Sequence, residues 1–285
     1  MQVPSKPGPT PSSDRARYRA YYEEGYKASH PVDYSIGGLQ SERPGSLRPS
    51  TLQWLKETGL AGQQTAIVLE LGCAMAQLAN VHPGYLGLDF SHTALAGAKA
   101  ANNGLRLLHG DMQVIPLATE SVDFMFTWAA LEHVPSPDRV LAEVTRILKP
   151  NGVALLGPAW NCRSWTVKRL PQRFYRDLSW RHRIEKATIP LRSRLAWRAA
   201  MSSPKRFWRE MKSILGNPIR FDFQPLFPDF SLELPHVSDD DAQACMDPHA
   251  AILYFKTRGW AVLSHPTFRS RILARHEAVV VRKPA

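Results

Sequence analysis

The chain has 285 residues, 44% of them hydrophobic, and a formal net charge of +11 at pH 7. One α/β domain with an insertion accounts for that length better than two equal domains, and no run of 18 or more apolar residues is present to span a bilayer as a helix. Cys73, Cys162 and Cys245 are odd in number and lack metal-ligand spacing, which suits a reducing cytoplasm and excludes a disulfide framework.

The first residues, MQVPSKPGPTPSSDRAR, lack the apolar core of a signal peptide, and residues 1–15 read as a flexible polar tail. Residues 16–60 read as N-terminal cap helices, in which Tyr18, Tyr22 and Tyr26 fall on one face at i, i+4 spacing. From residue 61 the pattern changes to alternating strands and helices. Ala66, Ile67, Val68, Leu69 and Leu71 form a short, nearly continuous apolar run, the pattern of a parallel strand buried on both faces. Gly72 ends it, and Cys73, Ala74, Met75 and Ala76 are small or flexible enough for a ligand to approach the backbone.

A second strand, Tyr85 to Leu88, ends in Asp89. In a nucleotide-binding β-α-β unit an acid about 20 residues past the glycine turn holds the ribose hydroxyls, and Asp89 fits that place. An ordinary β-α-β unit without a ligand has the same outline, so this segment alone does not decide. A third strand, Leu105 to Leu108, leads to His109-Gly110-Asp111-Met112, and a fourth, Val122 to Thr127, runs into Trp128-Ala129-Ala130-Leu131-Glu132-His133-Val134. The spacing of Val140, Leu141, Val144 and Ile147 predicts a helix from Pro137 to Leu148, with Ser136 as N-cap and Lys149-Pro150-Asn151-Gly152 as its stop. Val153 to Leu156 makes a fifth strand. Five strands alternating with helices predict an open, doubly wound sheet with its ligand at the carboxyl ends of the strands.

Taken together, VLELGCAMA, HGDM, LEHV and RILKPNG resemble the ordered motifs of the class I S-adenosylmethionine-dependent methyltransferases, in the methyltransferase domain type 11 branch, over Thr65 to Trp160. The resemblance implies a Rossmann-like, doubly wound, seven-stranded and mostly parallel sheet, S-adenosyl-L-methionine as cofactor, and methylation of a small-molecule or lipid-linked acceptor. It places Glu70 and Gly72 at the methionine part of the cofactor, with Cys73, Ala74 and Phe90 also among the cofactor-binding residues. Asp89 falls at the ribose, Asp111 and Met112 at the adenine, and Thr127 and Trp128 near the sulfonium. The family's alternating glycines, however, read here Glu70-x-Gly72-x-Ala74-x-Ala76. Were position 74 left-handed, alanine there would cost about 1–2 kcal/mol. A non-catalytic protein that keeps the fold is therefore the alternative from another class. His133 follows the fourth strand near the expected methyl position and titrates near neutrality, which makes it a candidate general base, although the LEHV histidine of this family is often structural.

Basicity is concentrated in one place. Between Trp160 and Arg220 lie sixteen Lys and Arg against three acids, so the rest of the chain is close to neutral. Trp160, Trp165, Phe174, Tyr175, Trp180, Trp197, Phe207 and Trp208 interleave with these charges. Residues 160–246 read as a basic helical insertion between strands five and six. It is either a lid packed on the core, a peripheral contact with an anionic membrane surface, or an RNA-binding patch. The last makes an RNA methyltransferase the third functional reading, against which no recognisable RNA module is present. An acidic stretch from Asp229 to Asp241 follows. His236, Asp239, Asp241, Cys245 and His249 lack diagnostic ligand spacing, so no metal is expected. Asp247-Pro248 opens a helix that stops at Gly259, and Trp260 to Leu263 and Ala278 to Val281 supply strands six and seven.

Overall fold

The computed structural model describes residues 19–26, 47–230 and 239–285. The expected tail at 1–15, Tyr18, much of the 16–60 cap and His236 lie outside them.

Short β-branched and leucine-rich runs form the sheet. These are β1 (Val68–Leu71), β2 (Tyr85–Asp89), β3 (Leu107–His109), β4 (Val122–Trp128), β5 (Leu148–Gly157), β8 (Ala261–Val262) and β9 (Val279–Arg282). Their order is β3-β2-β1-β4-β5-β9-β8. β1 to β5 pair in parallel, and β9 runs antiparallel between β5 and β8. This is the expected seven-stranded, doubly wound sheet. The order reverses at β1, which pairs with both β2 and β4, and the crevice for a ligand opens at the carboxyl ends of those strands.

Alternate residues along each strand face opposite layers. Leu69, Leu71, Met125, Ala154 and Leu156 pack in one core with α4 (Pro137–Ile147) and α8 (Pro248–Lys256). Val68, Phe124, Phe126, Val153 and Leu155 pack in the other, where α2 (Leu47–Glu57) and α3 (His92–Ala101) contribute Leu55 and Ala98. A short helix α1, residues 19–25, precedes these.

Between β5 and β8 the chain forms α5 (Ser164–Val167), α6 (Trp180–Arg192), α7 (Leu195–Ile214) and the two-stranded ribbon β6 (Phe223–Pro225) and β7 (Ala244–Met246), then α8 and, beyond β8, α9 (Phe268–Leu273). Pairing with distant segments moved several local boundaries. The third strand begins two residues later than its apolar run, where Leu107 meets Gly87. The fifth begins at Leu148, because Leu148 pairs with Val122 before Asn151 turns left-handed at φ 64. Ser136 occupies the N-cap of α4 but its hydroxyl makes no capping bond, whereas the Asp247 carboxylate caps α8 by accepting from the His249 amide.

Candidate active site

The turn after β1 decides whether a nucleoside can approach the backbone. Gly72, Ala74 and Ala76 all have positive φ, at 74, 46 and 53°. The alternating left-handed conformation of a glycine turn is thus kept by two alanines. The Ala74 conformation is held from across the crevice, where the Asp89 carboxylate accepts from the Ala74 amide at 2.8 Å through Oδ2 and from the Ser91 amide at 2.9 Å through Oδ1. The Met75 side chain is exposed, with its sulfur and terminal methyl over Gly97 of α3. Gly72 itself has no room for a side chain, since a Cβ there would sit 2.4 Å from Ala130 Cβ and 3.4 Å from the terminal methyl of Met112. Because a left-handed alanine costs about 1–2 kcal/mol and glycine's extra chain entropy returns part of that, Ala74→Gly should stabilise the protein by roughly 0.5–1 kcal/mol. Ala76→Gly should be close to neutral, because the buried Ala76 methyl packs in the second core. Urea midpoints of both variants check this difference.

Glu70, at the penultimate position of β1, is buried, and the Tyr85 hydroxyl donates to its Oε2. Burial pushes the Glu70 carboxyl up to about 8, against the lowering effect of the Tyr85 hydrogen bond and with a further push from Asp89. Cys73 shares this pocket beside Gly87, and burial followed by the Glu70 and Asp89 charges raises its thiol well above the ordinary range. Burial also raises Asp89 despite its amide donors. Just beyond β3, Asp111 accepts from the backbone and side chain of Gln113, at 2.9 and 3.1 Å. Met112 is buried next to it.

Thr127 and Trp128 point to opposite layers. The Trp128 indole packs against Gly157 and donates to the Thr51 hydroxyl of α2 at 2.9 Å, so its ring belongs to the second core. Thr127 Oγ1 and, five residues on, Glu132 Oε2 are buried and lack hydrogen-bond partners among the described residues. Such unused polar capacity at the carboxyl end of β4 fits a polar ligand in the crevice.

Two features that sequence patterns did not isolate close the site. In α1, Glu23 accepts from the His92 and Thr93 amides, both at 2.9 Å, and from Ser91 Oγ at 3.1 Å, so it caps α3 from outside that helix. Burial opposes its ionisation, yet these donors hold its carboxyl down to about 2. The neighbouring Tyr22 is buried, stacks edge-on with Phe90 at 5.3 Å and with His133 at 6.1 Å, and donates to Asp241. Only the tyrosine periodicity hinted at Tyr22; nothing local marked Glu23 or Tyr85.

His133 sits in the 3₁₀ turn after β4, with Nδ1 3.3 Å from Asp241 and Nε2 3.8 Å from Glu132. Burial pulls its pKa down, but Asp241, Glu132 and Asp239 outweigh that and hold it above the usual histidine value. The described end of the acidic stretch therefore packs on the core: Asp241 meets His133 and Tyr22, and Asp240 pairs with buried Arg169 at 3.1 Å. His249 lies elsewhere, 3.4 Å from Glu210. Among the described residues no group of three or more His, Cys, Asp and Glu side chains is arranged to hold a metal ion.

Comparison with known proteins finds similarity to methyltransferases. Residues 69–156 match the model of a methyltransferase domain family. A demethylmenaquinone methyltransferase from Bacillus velezensis is 30% identical over 147 residues, covering 49% of this chain and 62% of the relative. A probable S-adenosylmethionine-dependent methyltransferase from Mycolicibacterium smegmatis is 30% identical over 93 residues, covering 31% of this chain and 36% of the relative. Among solved structures, an S-adenosylmethionine-bound amino pentose methyltransferase from Micromonospora echinaspora aligns with a TM-score of 0.47 at 15% identity, over 85% of this chain and 93% of that one. The chain thus spans less than two thirds of the length of the two curated relatives.

Proposed function

We propose that this chain, which matches a methyltransferase domain family over residues 69–156, is a class I S-adenosylmethionine-dependent enzyme that transfers a methyl group to a small-molecule or lipid-linked acceptor. The observation that carries the reading is the left-handed turn at Gly72, Ala74 and Ala76, held open by Asp89 across the switch point of the sheet. A turn that had lost its ligand would be free to relax its two strained alanines.

The cofactor, when bound, supplies an electrophilic methyl group on a sulfonium. The protein's part is to hold the acceptor in line with it and to exclude water. Glu70 and the turn would hold the methionine end, Asp89 with Phe90 the ribose, Asp111 with Met112 the adenine, and the Thr127 hydroxyl would face the reacting end. Trp128 would act indirectly, by fixing the end of β4 against α2. Tyr22 and Glu23 would close α1 over the ribose side.

His133 fits a positioning role better than that of a proton acceptor, since both ring nitrogens face carboxylates and its pKa is held up. It would tie Asp241 of the insertion to Glu132 of the core and thereby set Tyr22. The name of the demethylmenaquinone methyltransferase relative supports a small-molecule acceptor.

Titration calorimetry with S-adenosylmethionine tests the reading. The wild type should bind at micromolar levels, and Asp89→Asn should lose about 10- to 100-fold, the worth of a charge-assisted hydrogen bond. His133→Gln should leave that affinity within a few-fold and alter the pH profile of turnover. A folded wild type that binds neither S-adenosylmethionine nor its demethylated product would defeat the proposal.

A further inference from the structure

In a soluble amphipathic helix the apolar face turns inward. α7 does the reverse. Its buried residues are Arg206, Arg209 and Glu210. Arg206 forks onto Asp247 and two carbonyls, Arg209 bridges Asp247 and Asp222, and Glu210 takes a paired contact from Arg271. The opposite face carries Trp197, Met201, Trp208 and Leu215, spaced by 4, 7 and 7 residues and exposed by 41, 66, 62 and 73%. A second stripe, Arg194, Arg198, Lys205 and Lys212, has the same spacing three residues earlier and runs alongside it. α6, which packs against α7, carries its own exposed Trp180, Ile184 and Leu191 beside Arg181 and Arg183.

An aromatic and aliphatic stripe flanked by cations is what an interfacial helix presents to headgroups and the acyl boundary. The inward face is committed to ion pairs, so the apolar stripe cannot turn inward without breaking them. A second copy of the chain is a poor occupant. A two-fold interface would set the cationic stripes of two copies, each inside a segment more basic than the whole chain, close to one another. Anionic lipid satisfies both stripes at once. Among the described residues no helix is long and apolar enough to cross a membrane, so contact would be peripheral. We infer that the outer face of α6 and α7 docks the protein on an anionic lipid surface, an inference that goes beyond methyl transfer and does not depend on it.

Flotation of the full chain with vesicles of equal parts phosphatidylcholine and phosphatidylglycerol provides the test. The wild type should float with these vesicles, stay behind with phosphatidylcholine alone, and detach at high salt. Two charge reversals, Arg181→Glu with Lys212→Glu, should lower the partition coefficient on the order of tenfold or more, given about 1 kcal/mol per cation near such a surface. The combined change Trp197→Ser, Met201→Ser and Trp208→Ser should abolish flotation while leaving the thermal midpoint in place; if that variant does not fold, the charge reversals decide alone. Wild type that fails to float, or variants that float undiminished, overturn the inference. So does a wild-type dimer in light scattering that the serine changes disperse, or retention on RNA without flotation.

Discussion

Replacing Glu70 by Gln should make the ligand-free protein more stable at alkaline pH, and at the same cost abolish tight cofactor binding. The folded carboxyl is pushed up to about 8 by burial, from 4.5 in its reference state. An acid whose folded pKa is raised binds its proton more tightly in the native than in the unfolded chain. Stability from this group is therefore greatest below about pH 4.5 and is lost as pH rises towards 8. Across that window the loss is on the order of 5 kcal/mol. Gln keeps the shape and can still accept from the Tyr85 hydroxyl, so the variant should lack this part of the slope. Urea unfolding of both proteins between pH 5 and about 9 should show the curves separating upward for the variant. In the wild type, a bound ammonium beside Glu70 would draw it into its charged form. Binding should then release a proton near pH 7, seen in calorimetry as a heat that changes with the buffer's ionisation enthalpy, and Glu70→Gln should show no such release. Parallel pH curves for wild type and variant would refute the first claim, and buffer-independent heats the second.

This opposition between stability and binding also shows what the sequence could disclose. β1, β2 and β4 were legible because each is an apolar run whose period comes from its own residues; Asp89 closes β2, and Asp111 follows two residues after β3. The strain at Ala74 was posed as a question by the missing glycine, and the answer lay in a hydrogen bond that the Ala74 amide donates to the Asp89 carboxylate, fifteen residues away. Trp128 was legible as a residue at the end of β4, but its orientation depends on Thr51, 77 residues earlier. Tyr22 and Asp241 meet across 219 residues. No local pattern encodes such a contact, because either side chain could satisfy its polar group in water. The same holds for α7: its mixture of arginine and tryptophan was visible, but which of the two faces inward is set by Asp247 and Arg271, far along the chain.

Removing the Arg206 side chain should cost more stability than any single change on the outer face of α7. Its guanidinium is almost wholly buried and donates to Asp247 Oδ1 at 2.6 Å, and to the carbonyls of Ile272 and Ala274, both at 2.7 Å. It therefore joins α7, the start of α8 and the end of α9 through one planar group. In Arg206→Ala the carbonyls of Ile272 and Ala274 lose this donor, and Asp247, which also caps α8, keeps Arg209 alone as an ion-pair partner among the described residues. Leaving a buried charge network incomplete costs about 3–5 kcal/mol, and the surviving Arg209 contact puts the expectation near the lower end. For a chain of this size that corresponds to a fall in thermal midpoint of roughly 6–12 °C. Arg206→Lys should recover only part, because an ammonium cannot reach two carbonyls and a carboxylate in one plane. Trp208→Ser, by contrast, removes an exposed ring and should shift stability by no more than about 0.5 kcal/mol. Calorimetric or urea unfolding of the three variants separates the cases. If the tryptophan change proved as costly as the arginine change, the exposed stripe would be packed against something and α7 would not be inverted. If Arg206→Ala were nearly silent, the ionic face would not be what holds the helix in place, and the apolar stripe would be free to turn inward.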